Sequence, residues 1–107
     1  LKMDSIEDWI KNINKSNRLI LVEGRKDEIN LKKLGVKNKI ITVSNKPLTF
    51  IEHIIEDVII LTDLDFHGRK LYSILRHNLQ KRGIKIDKTF REFLFKQKIS
   101  HIEGIKL

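Results

Sequence analysis

The 107-residue chain has no cysteine, which excludes both a disulfide framework and a thiolate metal site and leaves carboxylates and four histidines as possible ligands. It contains no apolar run near the roughly 18 residues of a membrane span, and no signal-peptide stretch at its start. A soluble, cytoplasmic protein with no membrane partner is therefore expected. Internal repeats, low-complexity segments and interdomain linkers are also missing. A chain of this length supports one core and not two. The expectation is a single domain over 1–107, with 1–17 a helix and linker and 18–107 the core with its C-terminal extension. What the chain has in excess is positive charge: 22 Lys and Arg against 14 Asp and Glu give a formal +8. That balance suits a polyanionic partner such as nucleic acid. It equally suits a solvated, lysine-rich exterior of the kind found in thermophiles, so placement of the cations has to decide.

Residues 5–15, "SIEDWIKNINK", carry a capping-box-like Ser5 and Asp8 and place Ile6, Trp9, Ile10 and Ile13 at helical spacing. "LILVE" at 19–23 follows, a short branched run that reads as a strand buried on both faces. Ile29, Leu31 and Leu34 then repeat with helical period up to Gly35. "KIITV" at 39–43 is a second strand, and Thr49 with Glu52 suggests a short third helix after Pro47. "VIILT" is a third strand. Beyond it Leu71, Ile74, Leu75 and Leu79 form one face of a helix stopped by Gly83. "IKI" at 84–86 reads as a fourth strand, "TFREFLFKQK" as a helix, and "ISHIEGI" as an edge strand or loop. Apolar strands alternating with helices define the α/β class, with a parallel sheet covered on both faces.

Ligand sites of such sheets lie beyond the carboxyl ends of the strands, where the acids are found. Asp63 and Asp65 follow "VIILT", and their i, i+2 relation in extended chain aims both side chains the same way, roughly 6 to 7 Å apart. Glu23 ends "LILV". If those strands are neighbours, three carboxylates converge, and repulsion raises at least one pKa unless a cation neutralises them. Oxygen ligands in a partly open sphere favour Mg²⁺ or Mn²⁺ over zinc. With such an ion present, Glu23 is the candidate proton carrier and thus the catalytic residue. The competing reading is that Asp63 and Asp65 only cap the next helix.

"LILVEGRKDEINLKKLG" and "VIILTDLDFHGRKL" together resemble the two signature motifs of the Toprim domain, the Mg²⁺-binding module of topoisomerases, bacterial primases, old-family nucleases and the maturase that trims 5S ribosomal RNA. Glu23, Gly24 and Asp27 match the first motif; Asp63, Asp65 and Gly68 match the second. The resemblance implies a Rossmann-like three-layer fold with a mainly parallel four-stranded sheet and helices on both faces. It implies that Asp63 and Asp65 bind the metal, that Glu23 binds it too or acts as general acid or base, that Gly24 lets the backbone turn close to the site, and that Asp27 orients the loop or its helix. Many members have a glycine after the second strand where this chain reads "TVSNKP", so Ser44 or Asn45 must take that turn, with positive φ at Asn45 as one solution. Topoisomerases use a tyrosine in a separate domain. The only tyrosine here, Tyr72, lies in the helix after the aspartates and reads as packing.

Arg25 and Lys26 flank Glu23, while His67, Arg69 and Lys70 flank the aspartates at a helix start, where phosphate is favoured. They are the candidate phosphate-binding residues, against the alternative of solvated side chains near helix ends. His53 and His77 read as surface or packing residues, and Trp9 as core rather than a base-stacking platform. His101 and Glu103 are similar to a short element near the end of 5S-maturase-like members, which makes a site-edge role for Glu103 an open option. Three functions stay in competition. The first is Mg²⁺-dependent cleavage or transfer of nucleic-acid phosphodiesters, RNA slightly favoured over DNA. The second is a non-catalytic module that retains the metal site and docks on nucleic acid or a larger replication, repair or RNA-processing assembly, and the third is a primase-like polymerising core, against which the small size argues.

Overall fold

The structure, a computed structural model, describes residues 2–107. Helix α1, Ile6–Ser16, starts where the Ser5 hydroxyl accepts the Asp8 amide at 3.1 Å, and it buries Trp9, Ile10 and Ile13. It leads to β1 (Leu19–Val22), α2 (Arg25–Leu34), β2 (Ile40–Thr42), a 3-10 segment (Leu48–His53), β3 (Val58–Leu61), α3 (Phe66–Lys81), α4 (Thr89–Lys96) and a last 3-10 turn, Ile102–Gly104. The glycines expected to stop α2 and α3 both take positive φ, 103° at Gly35 and 79° at Gly83. Ile29 and Ile74, counted on the apolar faces of those helices, are instead exposed.

The sheet is parallel, in the order β2-β1-β3. Every residue of β1 and β3 is buried, because each strand is covered on both sides. Ile20, Val22, Ile59 and Leu61 pack against Trp9, Leu31, Phe90 and Leu94 from α1, α2 and α4. On the opposite face, Leu19, Leu21, Val58 and Ile60 meet Leu75 and Leu79 of α3 with Ile51 and Ile54. Each such large side chain stabilises the fold by about 1.5–3 kcal/mol, which makes β1 and β3 its firmest part. Trp9 is fully buried, donates its indole N–H to the Phe90 carbonyl at 2.9 Å and packs edge-on to the Phe90 ring, so no base can stack on it.

Two expectations need correction. Among the described residues the sheet has three strands and not four: of "IKI" only Ile86 pairs, as an isolated parallel bridge to Val58. The reason lies just beyond. The Asp87 amide still donates to the Val58 carbonyl at 2.8 Å, but its carboxylate accepts the Thr89 amide, turning the chain into α4 before a second pair can form. The third helix is also not an α-helix; the Thr49 and Glu52 pattern falls inside the 3-10 segment, which Pro47 begins without any side-chain cap. "ISHIEGI", left between strand and loop, supplies the final 3-10 turn.

Strand register positions the acids. Leu19 pairs with Val58 and Val22 with Leu61, so β1 and β3 end level and deliver Glu23 and Asp63 to the same edge. From there α2 leaves to one face of the sheet and α3 to the other, and a crevice opens between diverging connections of this kind.

Candidate metal and phosphate site

Asp63 is held from three directions. Its amide donates to Glu23 Oε1 at 2.9 Å, its Oδ1 accepts the Ile102 amide at 2.9 Å, and its carbonyl accepts from the Arg91 guanidinium at 3.0 Å. Arg91 also donates to the Thr62 carbonyl and lies 4.4 Å from the centre of the Tyr72 ring. Tyr72 is thus a packing partner. Burial pushes the Arg91 pKa down from the arginine range, while Tyr72, Glu23 and Asp63 pull it back.

Asp65 caps α3: its Oδ1 accepts the Gly68 amide at 2.8 Å. The capping alternative therefore describes Asp65 and not Asp63. Asp65 Oδ2 lies 3.2 Å from His101 Nε2, and the other ring nitrogen of His101 meets the Ser100 hydroxyl at 2.9 Å. The Gly68 amide, and then His101 and His67, hold the Asp65 carboxyl below the usual aspartate range. Asp63, Asp65 and His101 each place one ligand atom within 4.8 Å of the others. Glu23 stands beside this trio, joined to it through the Asp63 amide, with Oε2 3.9 Å from His67 Nε2.

The loop residues divide. Gly68 is required sterically, since a Cβ there would lie 1.9 Å from the Asp63 carbonyl oxygen. Gly24 is not: its φ of −143° suits any residue, and a Cβ would meet only the Ser44 hydroxyl, at 3.9 Å. The expectation that glycine is needed there for a turn is not met by the protein's own geometry. The other turn residue, Asn45, does take positive φ, 65°. Asp27 is buried and accepts the Gly24 amide at 3.1 Å, orienting the loop between β1 and α2.

Burial raises the Asp27 pKa above 3.8, and the neighbouring Asp63, Glu23 and Glu103 charges add to that, against the lowering hydrogen bond from Gly24. A raised carboxyl binds its proton more tightly when folded, so its contribution to stability is full below the unfolded value and is lost as pH rises through the folded one. Asp27→Asn, which still offers an oxygen to Gly24, is expected to melt at a higher temperature than the parent at pH 7 in divalent-free buffer. Melting curves at pH 7 and near 3.8 check this: the advantage should vanish at the lower pH.

Among the cations, Arg25 and Lys26 are exposed on the first turn of α2, and His67, Arg69 and Lys70 on that of α3. None of the four Arg and Lys residues takes part in an ion pair among the described residues, which leaves their charge available. Two contributors escaped the sequence, while His101 is marked there only through its similarity, with Glu103, to an element of 5S-maturase-like members. Arg91 carried a signal, a charge beside the buried Phe90, Phe93 and Leu94 of an amphipathic helix. Asn30, which donates to the Ile102 and Ile105 carbonyls at 2.9 and 3.0 Å and so ties the last turn to α2, looked like any polar helix residue.

A parallel α/β domain with acids and cations at the ends of two paired strands, β1 and β3, is the class that these features define. No protein-family model matches the chain. It is 37% identical over 105 residues to a UPF0292 protein of Thermococcus sibiricus, covering 94% of this chain and 82% of that one. A UPF0292 protein of Pyrococcus abyssi is 38% identical over 103 residues, 94% of this chain and 78% of the relative. One from Methanocaldococcus jannaschii is 32% identical over 99 residues, 88% and 77%. The chain belongs to the UPF0292 family. A solved protein from Aquifex aeolicus shares the fold at a TM-score of 0.89 with 37% identity, over 96% of this chain and all of that one. No helix among the described residues is long and apolar enough to cross a membrane.

Proposed function

We propose that the protein is a small Toprim-type domain that cleaves or transfers phosphodiester bonds in nucleic acid, RNA slightly favoured, with Mg²⁺ or Mn²⁺ as its ion. The observation that carries this reading is the level ending of β1 and β3, which sets the Glu23 carboxylate on the Asp63 amide. The donors suit a divalent ion. Asp63 and Asp65 each commit one oxygen to a backbone amide; the second oxygen of Asp63, the second oxygen of Asp65 and the His101 Nε2 that faces the latter at 3.2 Å make a set compatible with Mg²⁺ and more so with Mn²⁺. Asp63 and Asp65, with Glu23 or His101 beside them, would hold such an ion, which when bound would polarise the phosphoryl group.

The chain's own groups do the rest. Glu23 Oε1 is fixed by the Asp63 amide, leaving Oε2 to take a proton from the attacking water or hydroxyl as its oxygen bonds phosphorus. The phosphorus–oxygen bond to the leaving group breaks, and that oxygen receives a proton from solvent. Arg25, Lys26, Arg69 and Lys70, with His67, hold neighbouring phosphates, bidentately for the arginines.

The test is incubation of labelled structured RNA and duplex DNA with Mg²⁺ or with EDTA. Metal-dependent cleavage is expected, reduced about 100-fold or more by Glu23→Gln. Asp65→Asn is informative because asparagine caps a helix as well as aspartate does: the fold should survive while Mn²⁺ affinity falls. Unchanged Mn²⁺ affinity in Asp63→Asn and Asp65→Asn would remove the ion from the account. A second reading, a binding module without turnover, draws on the fact that each acid already has a structural partner; binding without cleavage in this assay selects it.

A further inference from the structure

Two clefts flank Phe95 of α4. One, of about 280 Å³, is lined by Leu64, Tyr72 and Phe95 with Arg69 and Lys88 exposed at its edge, and has Arg91 and one acid, Glu92, in its wall. The other, of about 420 Å³, shares Leu64 and Phe95 and adds Ile99, Ser100 and two more lysines, Lys96 and Lys98. Phe95 is 71% exposed and, with Leu64, is common to both clefts, so that ring and clefts make one continuous exposed apolar surface.

The clefts are tied to the acids. Leu64 is the residue between Asp63 and Asp65, its amide donates to the Ser100 carbonyl at 2.7 Å, and Ser100 precedes His101. Arg91 links the same wall to the Thr62 and Asp63 carbonyls. Leu64 thus joins the wall shared by both clefts to the backbone between the two aspartates. Arg91 already holds backbone carbonyls, so the cations free to meet phosphate are Arg69, Lys88, Lys96 and Lys98, set around an apolar interior. Apolar and aromatic surface within a cationic rim is the chemistry that holds an unpaired base while its backbone is neutralised.

We propose that these clefts bind the unpaired bases next to the reacting phosphate, with Phe95 as the stacking platform, so that the protein selects single-stranded over fully paired nucleic acid. This rests on the nucleic-acid reading above. Its test is made in EDTA, so that it does not depend on the metal.

Affinities are measured by fluorescence anisotropy for oligouridylate of about twelve nucleotides, for an abasic strand with the same phosphates, and for a duplex of equal length, within the span that such grooves cover. The base-bearing strand is expected to bind about 10-fold more tightly than the abasic one. Phe95→Ala should erase most of that difference while leaving abasic binding and the melting temperature unchanged, and Phe95→Trp should restore it. Lys88→Gln should weaken both strands alike and flatten the salt dependence. Equal affinity for the two strands overturns the inference, as does an equal loss for both in Phe95→Ala. Absence of any binding also overturns it. Base preference without metal-dependent cleavage sinks only the catalytic reading; cleavage without base preference sinks only this one.

Discussion

Gly68→Ala will destabilise the domain by about 3 kcal/mol or more, although alanine is the better helix former. Two effects oppose each other at this position. Helix propensity favours alanine over glycine by about 1 kcal/mol inside a helix, and Gly68 lies in α3 with ordinary backbone geometry. Against that, the added methyl would sit 1.9 Å from the Asp63 carbonyl oxygen and 2.4 Å from its carbon, both backbone atoms at the end of the firmest strand. Overpacking of a well-filled site costs about 1–3 kcal/mol when side chains can yield; here there is none to yield. The helix start must move, stretching the bond from the Thr62 hydroxyl to the Gly68 carbonyl at 2.7 Å and the Asp65 cap at 2.8 Å. Urea denaturation of the two proteins decides the matter, since the competing effects predict opposite signs. A gain in stability would mean that α3 can slide and that the Asp63 contact is not fixed.

The second large effect is expected from Arg91→Leu. The guanidinium is buried, and three neighbours depend on it: the Thr62 carbonyl, the Asp63 carbonyl and the Tyr72 ring. Leucine fills part of the volume and removes a charge that burial disfavours. It leaves the two carbonyls without a donor, at about 1–3 kcal/mol each, so a net loss of about 2–5 kcal/mol should appear in thermal or urea unfolding. Lysine keeps the charge and loses the fork, and is expected to recover less than half of the deficit. Because Arg91 steadies the Asp63 backbone, Mn²⁺ affinity should fall together with stability in Arg91→Leu. Loss of stability alone would confine Arg91 to packing.

Local pattern made much of the centre of this fold legible. Branched runs marked β1, β2 and β3, and the strand-to-acid boundaries put Glu23 and Asp63 where paired parallel strands would bring them together. Asn45 could be singled out because a turn lacking glycine needs a residue that tolerates positive φ. The remainder depends on contacts between distant segments, which periodicity does not record. "IKI" has strand composition, yet its pairing ends at the Asp87 amide on the Val58 carbonyl, because the Asp87 carboxylate then accepts the Thr89 amide and the chain turns into α4. The short helix inferred from Thr49 and Glu52 closes as a 3-10 segment. His101 and Asn30 acquire their roles only when the last turn docks against α2 and the Asp63 loop, a juxtaposition that no local spacing could announce.

That docking has a bearing on biosynthesis. The Ile102 amide on Asp63, the Ser100 carbonyl on Leu64 and the two carbonyls gripped by Asn30 all come from a stretch translated well after the strands they brace. A nascent chain emerging from the ribosome can pair β1 with β3 while its aspartates still lack those braces. The final arrangement of the carboxylates therefore waits until the chain has emerged through Ile105, and a shorter nascent chain lacks it.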